Sequence, residues 1–386
     1  MKRTIAISLV LLLALGLAGC GAAAVPAGET PAPSASPEAS APETQETKPP
    51  APDFAAAFAA YPADATVLTI DGFAVPWSYY CSVLAYNANN IYLYSGESDF
   101  SHELQEGYTM ADWLREQSEL QLKNEAAVYR MGEELGLSLT DEDRQGIEDE
   151  ISEYAKLYYD GDREALFREL LFSEDYLVYQ EGAAIMSEKV LAHDYGEQGA
   201  NITAEQAAAW LAENEYLYAK HILFKTVDDA GAPLGEDEIA ESRVRAEETL
   251  ETLRAADKDA LPALFDKMMH DYSGDAGALD YYPDGYFFKE GRMVDEFYQA
   301  ALELAVGELS GLVQSSYGYH ILYHPAPSPD AVFETDANGA PVTLRQAVAQ
   351  ALVTKELDRR VAAQTVTYAG DFAALDPTAL FSAEKN

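Results

Sequence analysis

The sequence predicts an α+β protein in two parts: a largely helical part, and a smaller mixed α/β module that precedes the last helix. Three observations carry this. Between residues 109 and 215 apolar residues recur at helical spacing behind Ser or Thr caps. At Tyr216 the period changes, and residues 217–225 read as a strand. Beyond a polar linker, residues 343–364 return to helical period.

The chain opens with Lys2 and Arg3, then an apolar run from Ile5 to Leu17, then Leu17-Ala18-Gly19-Cys20. Such a run is too short to span a bilayer and has the pattern of an export signal. Its ending resembles a bacterial lipobox. That resemblance implies cleavage after residue 19, a diacylglycerol on Cys20, and anchoring at the extracytoplasmic face of the cell membrane. Residues 20–53 are Ala, Pro, Ser, Glu and Thr with almost no large apolar side chain, the composition of a disordered tether.

Residues 65–87 read as a short strand, a turn at Asp71-Gly72 and a helix containing Cys81, which suits a buried small hydrophobe. Residues 109–136 form a long helix with Trp113, Leu120, Ala127, Met131 and Leu135 at helical spacing and Gly136 as its stop. Thr140 and Asp143 make a capping box for the next helix, whose inner face is Ile147, Ile151, Tyr154 and Tyr158. Ser173 caps residues 173–197. Thr203 and Gln206 form a second capping box. After the strand at 217–225 come an acidic turn and helices at about 236–256 and 261–273. A Gly/Asp/Pro-rich loop, a short strand near 286, a helix from about Val294 to Val306 and a last strand ending "YGYHILYH" follow. The order is β-α-α-β-α-β.

With 66 Asp and Glu against 25 Lys and Arg, the formal charge is −41. A phosphate-binding surface needs Lys and Arg, so nucleic acid is not an expected partner. Cys20 and Cys81 are the only cysteines, which leaves no disulfide framework within the chain. A lipid-anchored solute-binding protein would share the signal and the tether. It needs alternating β-α runs in two lobes, which the helical first half does not provide.

Two strands each place an imidazole inside, in "AKHILF" at His221 and in "YGYHIL" at His320. By alternation each histidine lies on one face of its strand, so the two meet if the strands are neighbours. The surrounding stretches "LFDKMMHDYSGD", "FFKEGRMVDEFYQAALELAVGELS" and "VQSSYGYHIL" resemble, in order and spacing, the parvulin family of peptidyl-prolyl cis-trans isomerases. The resemblance implies a small antiparallel sheet with flanking helices over residues 214–326. It implies that His221, Asp275 and His320 are the catalytic trio and that Met293, Phe297, Ser315 and Tyr317 line the proline pocket. No cofactor or metal is implied; a metal held by His221, Asp275 and His320 would lack a further ligand.

The sequence departs from the family at Pro283-Asp284-Gly285-Tyr286-Phe287-Phe288, where many members read Gly-Asp-Leu-Gly-x-Phe; Gly285 takes the leucine's place. The flanks resemble PrsA/SurA-type foldases. That implies an all-helical chaperone-like domain built from residues 54–213 and from the C-terminal segment 327–386, whose helix packs back on it. The implied partners are unfolded or newly exported polypeptides with X-Pro bonds. The implied activity is either isomerisation or, with a weak isomerase domain, holding of unfolded chains.

If the lipobox reading is right, Cys20→Ser abolishes incorporation of labelled fatty acid, leaving the protein released or uncleaved. Unchanged labelling would sink it.

Overall fold

The computed structural model describes residues 51–382; the export signal, Cys20 and nearly all of the tether lie outside the described residues. In chain order the elements are α1 (Phe54–Ala59), β1 (Thr66–Ile70), β2 (Phe73–Pro76), α2 (Trp77–Ser95), β3 (Glu103–Gln105), β4 (Tyr108–Thr109), α3 (Met110–Glu134), α4 (Asp141–Tyr158), α5 (Arg163–Leu170) and α6 (Glu174–Tyr195). There follow α7 (Ala204–Glu213), β5 (Leu217–Lys225), α8 (Glu236–Arg254), α9 (Leu261–Tyr272), α10 (Ala276–Asp280), β6 (Tyr286–Phe288), α11 (Asp295–Leu302), β7 (Val313–Gln314) and β8 (Gly318–Tyr323). The chain ends with β9 (Val332–Thr335), β10 (Pro341–Thr343), α12 (Leu344–Ala363), β11 (Val366–Tyr368) and α13 (Pro377–Phe381). The described residues form two compact units, 51–190 with 354–382, and 191–353.

The first unit is helical apart from a small antiparallel sheet in the order β11-β1-β2 and a short β3–β4 pair. Its helices start where capping chemistry places them. Thr109 and Asp112 close a box at α3, and Thr140 and Asp143 one at α4. At α6 the Ser173 hydroxyl accepts from the Tyr176 N–H at 3.3 Å. Around Trp77, Tyr80, Leu84 and Leu114 the core is closed to solvent, and Cys81 is buried among them.

Two helix faces differ from their sequence expectation. The buried stripe of α3 runs through Leu114, Ser118, Leu122, Val128 and Met131; Trp113 and Leu120 are only half-buried. On α4, Ala155 is buried with Ile147 and Ile151, whereas Tyr158 is 67% exposed. Apolar spacing limits the face to about a third of the circumference. Which third is buried depends on the packing partners.

The second unit is built on a four-stranded antiparallel sheet in the order β6-β5-β8-β7. Ile222 and Phe224 of β5, with Tyr319, Ile321 and Tyr323 of β8, pack with residues of α8 and α9. On the other face Ala219 and Leu322 pack with Phe288, Phe297 and Ala301. β5 and β8 are therefore covered on both sides, which is why they read as continuous apolar runs. The unit extends beyond residues 214–326 on both sides. Ile202, Ala207 and Leu211 share a buried cluster with Phe333, Leu344 and Val348.

The pairing of β5 with β8 has a fixed start. Gly318, opposite Lys225, adopts φ +147°. A Cβ there would lie 2.1 Å from the carbonyl oxygen of Phe224. Gly318→Ala is therefore expected to cost at least about 3 kcal/mol, through strain and steric overlap together. Urea unfolding checks this; a loss under about 0.5 kcal/mol, the range of an ordinary surface change, would show that the register tolerates a side chain there.

Candidate functional site

The register sets His221 opposite Leu322 and His320 opposite Leu223, so the two histidines are diagonal neighbours on one face of adjacent strands. Each is 4% exposed. A buried imidazole must satisfy a donor and an acceptor, and here both rings do. His221 Nδ1 lies 3.2 Å from His320 Nδ1, and His221 Nε2 lies 2.7 Å from Asp275 Oδ2. The far nitrogen of His320, Nε2, is 2.7 Å from the hydroxyl of Ser315.

Local structure brings Asp275 and Ser315 to the rings. The loop after α9 is tied to β5: the Gly274 N–H donates to the Leu223 carbonyl at 2.8 Å, and the Leu223 N–H donates to Ser273 Oγ at 3.2 Å. Asp275 then caps α10, its Oδ1 accepting from the Ala278 N–H at 3.2 Å. Ser315 begins the tight turn into β8, where its N–H donates to the Gly318 carbonyl at 2.9 Å.

Burial raises the Asp275 carboxyl, but the hydrogen bond and charge of His221, helped by the Ala278 N–H and the Tyr286 hydroxyl, hold it down at about 2. Burial, then the neighbouring His221 charge, push His320 down to about 3. An ionised Asp275 can only accept, so His221 Nε2 donates to it. The two Nδ1 atoms share a single hydrogen bond, so one ring donates there and the other accepts, and the Ser315 hydroxyl meets His320 Nε2.

Phe297 covers the pair. Its ring meets His221 edge-on at 5.2 Å and His320 at 5.6 Å. Met293 is half-buried against the same apolar cluster. Tyr317 is 54% exposed; what it gives the network is its backbone N–H, donated to Ser315 Oγ at 3.1 Å. The structure thus joins His221, Asp275, His320 and Ser315 under Phe297, with Met293 on the same cluster and the Tyr317 side chain at the surface. Sequence reasoning missed Tyr286, whose hydroxyl donates to Asp275 Oδ2 at 3.1 Å. The one signal for it was its place in the stretch that departs from the family pattern.

The chemistry open to this arrangement is limited. A serine nucleophile needs a base poised near working pH, and burial lowers the basicity of His320, the ring that meets Ser315. What remains is an ordered, water-poor polar floor beneath an apolar roof.

His320 also makes stability depend on pH. Its folded value of about 3 lies below the ordinary 6.5. Between those values the unfolded chain binds a proton that the folded one refuses. Stability is therefore full above pH 6.5 and falls as pH drops toward 3. The slope should approach about 1.4 kcal/mol per pH unit. Urea midpoints of His320→Gln should be flatter across that window; an equal slope would assign the titration elsewhere.

Comparison with known proteins places this geometry. Residues 221–325 match the rotamase family model, a PPIC-type PPIase domain. Over 129 residues the chain is 33% identical to the foldase protein PrsA of Halalkalibacterium halodurans, covering 32% of each chain. Over 77 residues it is 38% identical to the foldase protein PrsA of Bacillus subtilis, covering 20% of this chain and 24% of that one. The matched stretches span about a third or less of these relatives' own length. An overlay on the crystal structure of PrsA from Bacillus subtilis covers 66% of this chain and 88% of that one, at 19% identity and a TM-score of 0.24.

Proposed function

We propose that this protein, whose residues 221–325 match a PPIC-type PPIase domain and which is similar in part to PrsA foldases, speeds X-Pro isomerisation in unfolded exported polypeptides. The carrying observation is the continuous hydrogen-bonded chain from Asp275 through His221 and His320 to Ser315, roofed by Phe297.

Resonance flattens the amide and sets a rotation barrier of ~18–20 kcal/mol. It also makes the planar form the more polar one. A site that takes the prolyl amide out of water therefore favours the less polar twisted form. Met293 and Phe297 would hold the proline ring, and the network would supply fixed dipoles that need no reorganisation during rotation. No bond is made or broken, so no nucleophile and no strong base is called for. Asp275, whose side chain is 25% exposed, reaches the rim where a substrate amide would lie.

We place the protein outside the cytoplasm, held to the membrane by lipid on Cys20. The sequence of the export signal supports this.

A holding activity without fast isomerisation is the second reading. A cleft of about 890 Å³ in the helical unit favours it, with Phe73, Tyr79, Tyr129 and Tyr179 on its wall. Tyr179 stacks on Phe73 at 5.6 Å and on Tyr129 at 4.8 Å.

A proline-limited refolding reaction separates the two. The wild-type chain should accelerate the slow phase. Asp275→Ala should slow catalysis about tenfold, equivalent to 1.4 kcal/mol of barrier. Met293→Ala should raise KM more than it lowers kcat, since it shrinks the slot. Suppressed aggregation with an unaccelerated slow phase would leave only the holding activity.

A further inference from the structure

Tyr286 lies where the polar network meets the apolar wall. Gly285 before it adopts φ +111°, and a Cβ there would lie 2.9 Å from the Ala219 carbonyl oxygen. The glycine lets the chain close onto β5, and Tyr286 pairs with Ala219. Residues directly opposite in an antiparallel pair point to one face, and Ala219 shares its face with His221. The Tyr286 ring accordingly sits 5.8 Å from the His221 ring and 5.1 Å from that of Tyr282. It packs against the same apolar cluster as Met293.

Its hydroxyl donates to Asp275 Oδ2 at 3.1 Å, the oxygen that also accepts from His221 Nε2 at 2.7 Å. The other oxygen is engaged by the Ala278 N–H. One donor fixes a carboxylate oxygen in place; donors from different directions fix the plane of the group as well. Without the hydroxyl, the part of Asp275 that faces solvent is open to competition from water. Burial, and then the Asp275 charge, push the Tyr286 phenol upward, so it remains a donor across the working pH range.

We propose that Tyr286 is a positioning residue of this site: its hydroxyl holds the Asp275 carboxylate against His221, and thereby anchors the hydrogen-bonded chain that runs on through His320 to Ser315. The proposal rests on the isomerase reading of the site. Tyr286 acts through Asp275, and its ring adds a wall to the proline slot.

Two variants of the full chain test it, with a tetrapeptide carrying a single Ala-Pro bond as substrate. Tyr286→Phe keeps the ring and removes the donor. It should lower kcat about threefold to tenfold with KM unchanged, the loss of one charge-assisted hydrogen bond. The midpoint of the Asp275 carboxyl, read by carbon-13 NMR, should rise by about one pH unit. Tyr286→Ala should show the same fall in kcat and, in addition, a raised KM, which the Phe variant restores. Wild-type kcat together with an unmoved Asp275 midpoint in Tyr286→Phe would overturn the proposal. Should the wild type itself fail to isomerise the peptide, the isomerase reading falls, and the carboxyl midpoint alone decides whether Tyr286 holds Asp275.

Discussion

Two imidazoles at 4% exposure, side by side on β5 and β8, set the terms for the isomerase-like unit. An unpaired buried ring nitrogen costs ~1–3 kcal/mol, a large share of a domain's net stability. Each ring is therefore bonded at both ends, and that requirement reaches well past the sheet. It needs the loop after α9 tied to Leu223 so that Asp275 arrives at His221. It needs the Ser315 turn so that His320 has a second partner. It needs Gly318, whose missing side chain lets β8 close on β5 in this register.

The same pairing decides the electrostatics. Asp275 is kept ionised by the donors around it, and His320 is kept neutral by burial and its neighbour. An ionised carboxylate and a hydrogen-bonded chain of fixed polar groups sit below an aromatic roof. Such a floor is a poor engine for covalent catalysis and a suitable one for a rotation whose polarity falls at the barrier. An apolar slot alone would desolvate the amide; the network adds orientation.

The helical unit shows the same constraint in another setting. Glu125 is buried on α3, accepting from the Tyr176 hydroxyl at 2.8 Å and from Gln121 at 3.4 Å. Burial pushes its carboxyl up to about 7, against the lowering effect of those bonds. Tyr176 in turn accepts from Gln121 at 2.8 Å. In the isomerase-like unit both rings are bonded at both nitrogens, whereas in the helical unit only Oε1 of Glu125 is bonded and Oε2 is buried without a partner, which fits a carboxyl pushed toward its neutral form.

Residue periodicity and capping chemistry are local, and the sequence alone determined what depends on them. The strand at 217–225, the capping boxes at Thr140 and Thr203 and the burial of Cys81 could all be read from it, while the candidates His221, Asp275 and His320 came from the resemblance to the parvulin family. The tertiary structure decided which side of α3 and α4 is buried, leaving Trp113 half-buried and Tyr158 exposed. It also decided that Tyr317 offers its backbone, and that Tyr286 reaches Asp275. These are contacts across the chain: His221 and His320 are 99 residues apart, His221 and Asp275 are 54. A period of 3.6 or 2 specifies that a face exists, while the partner that covers it is specified only when distant segments close on one another.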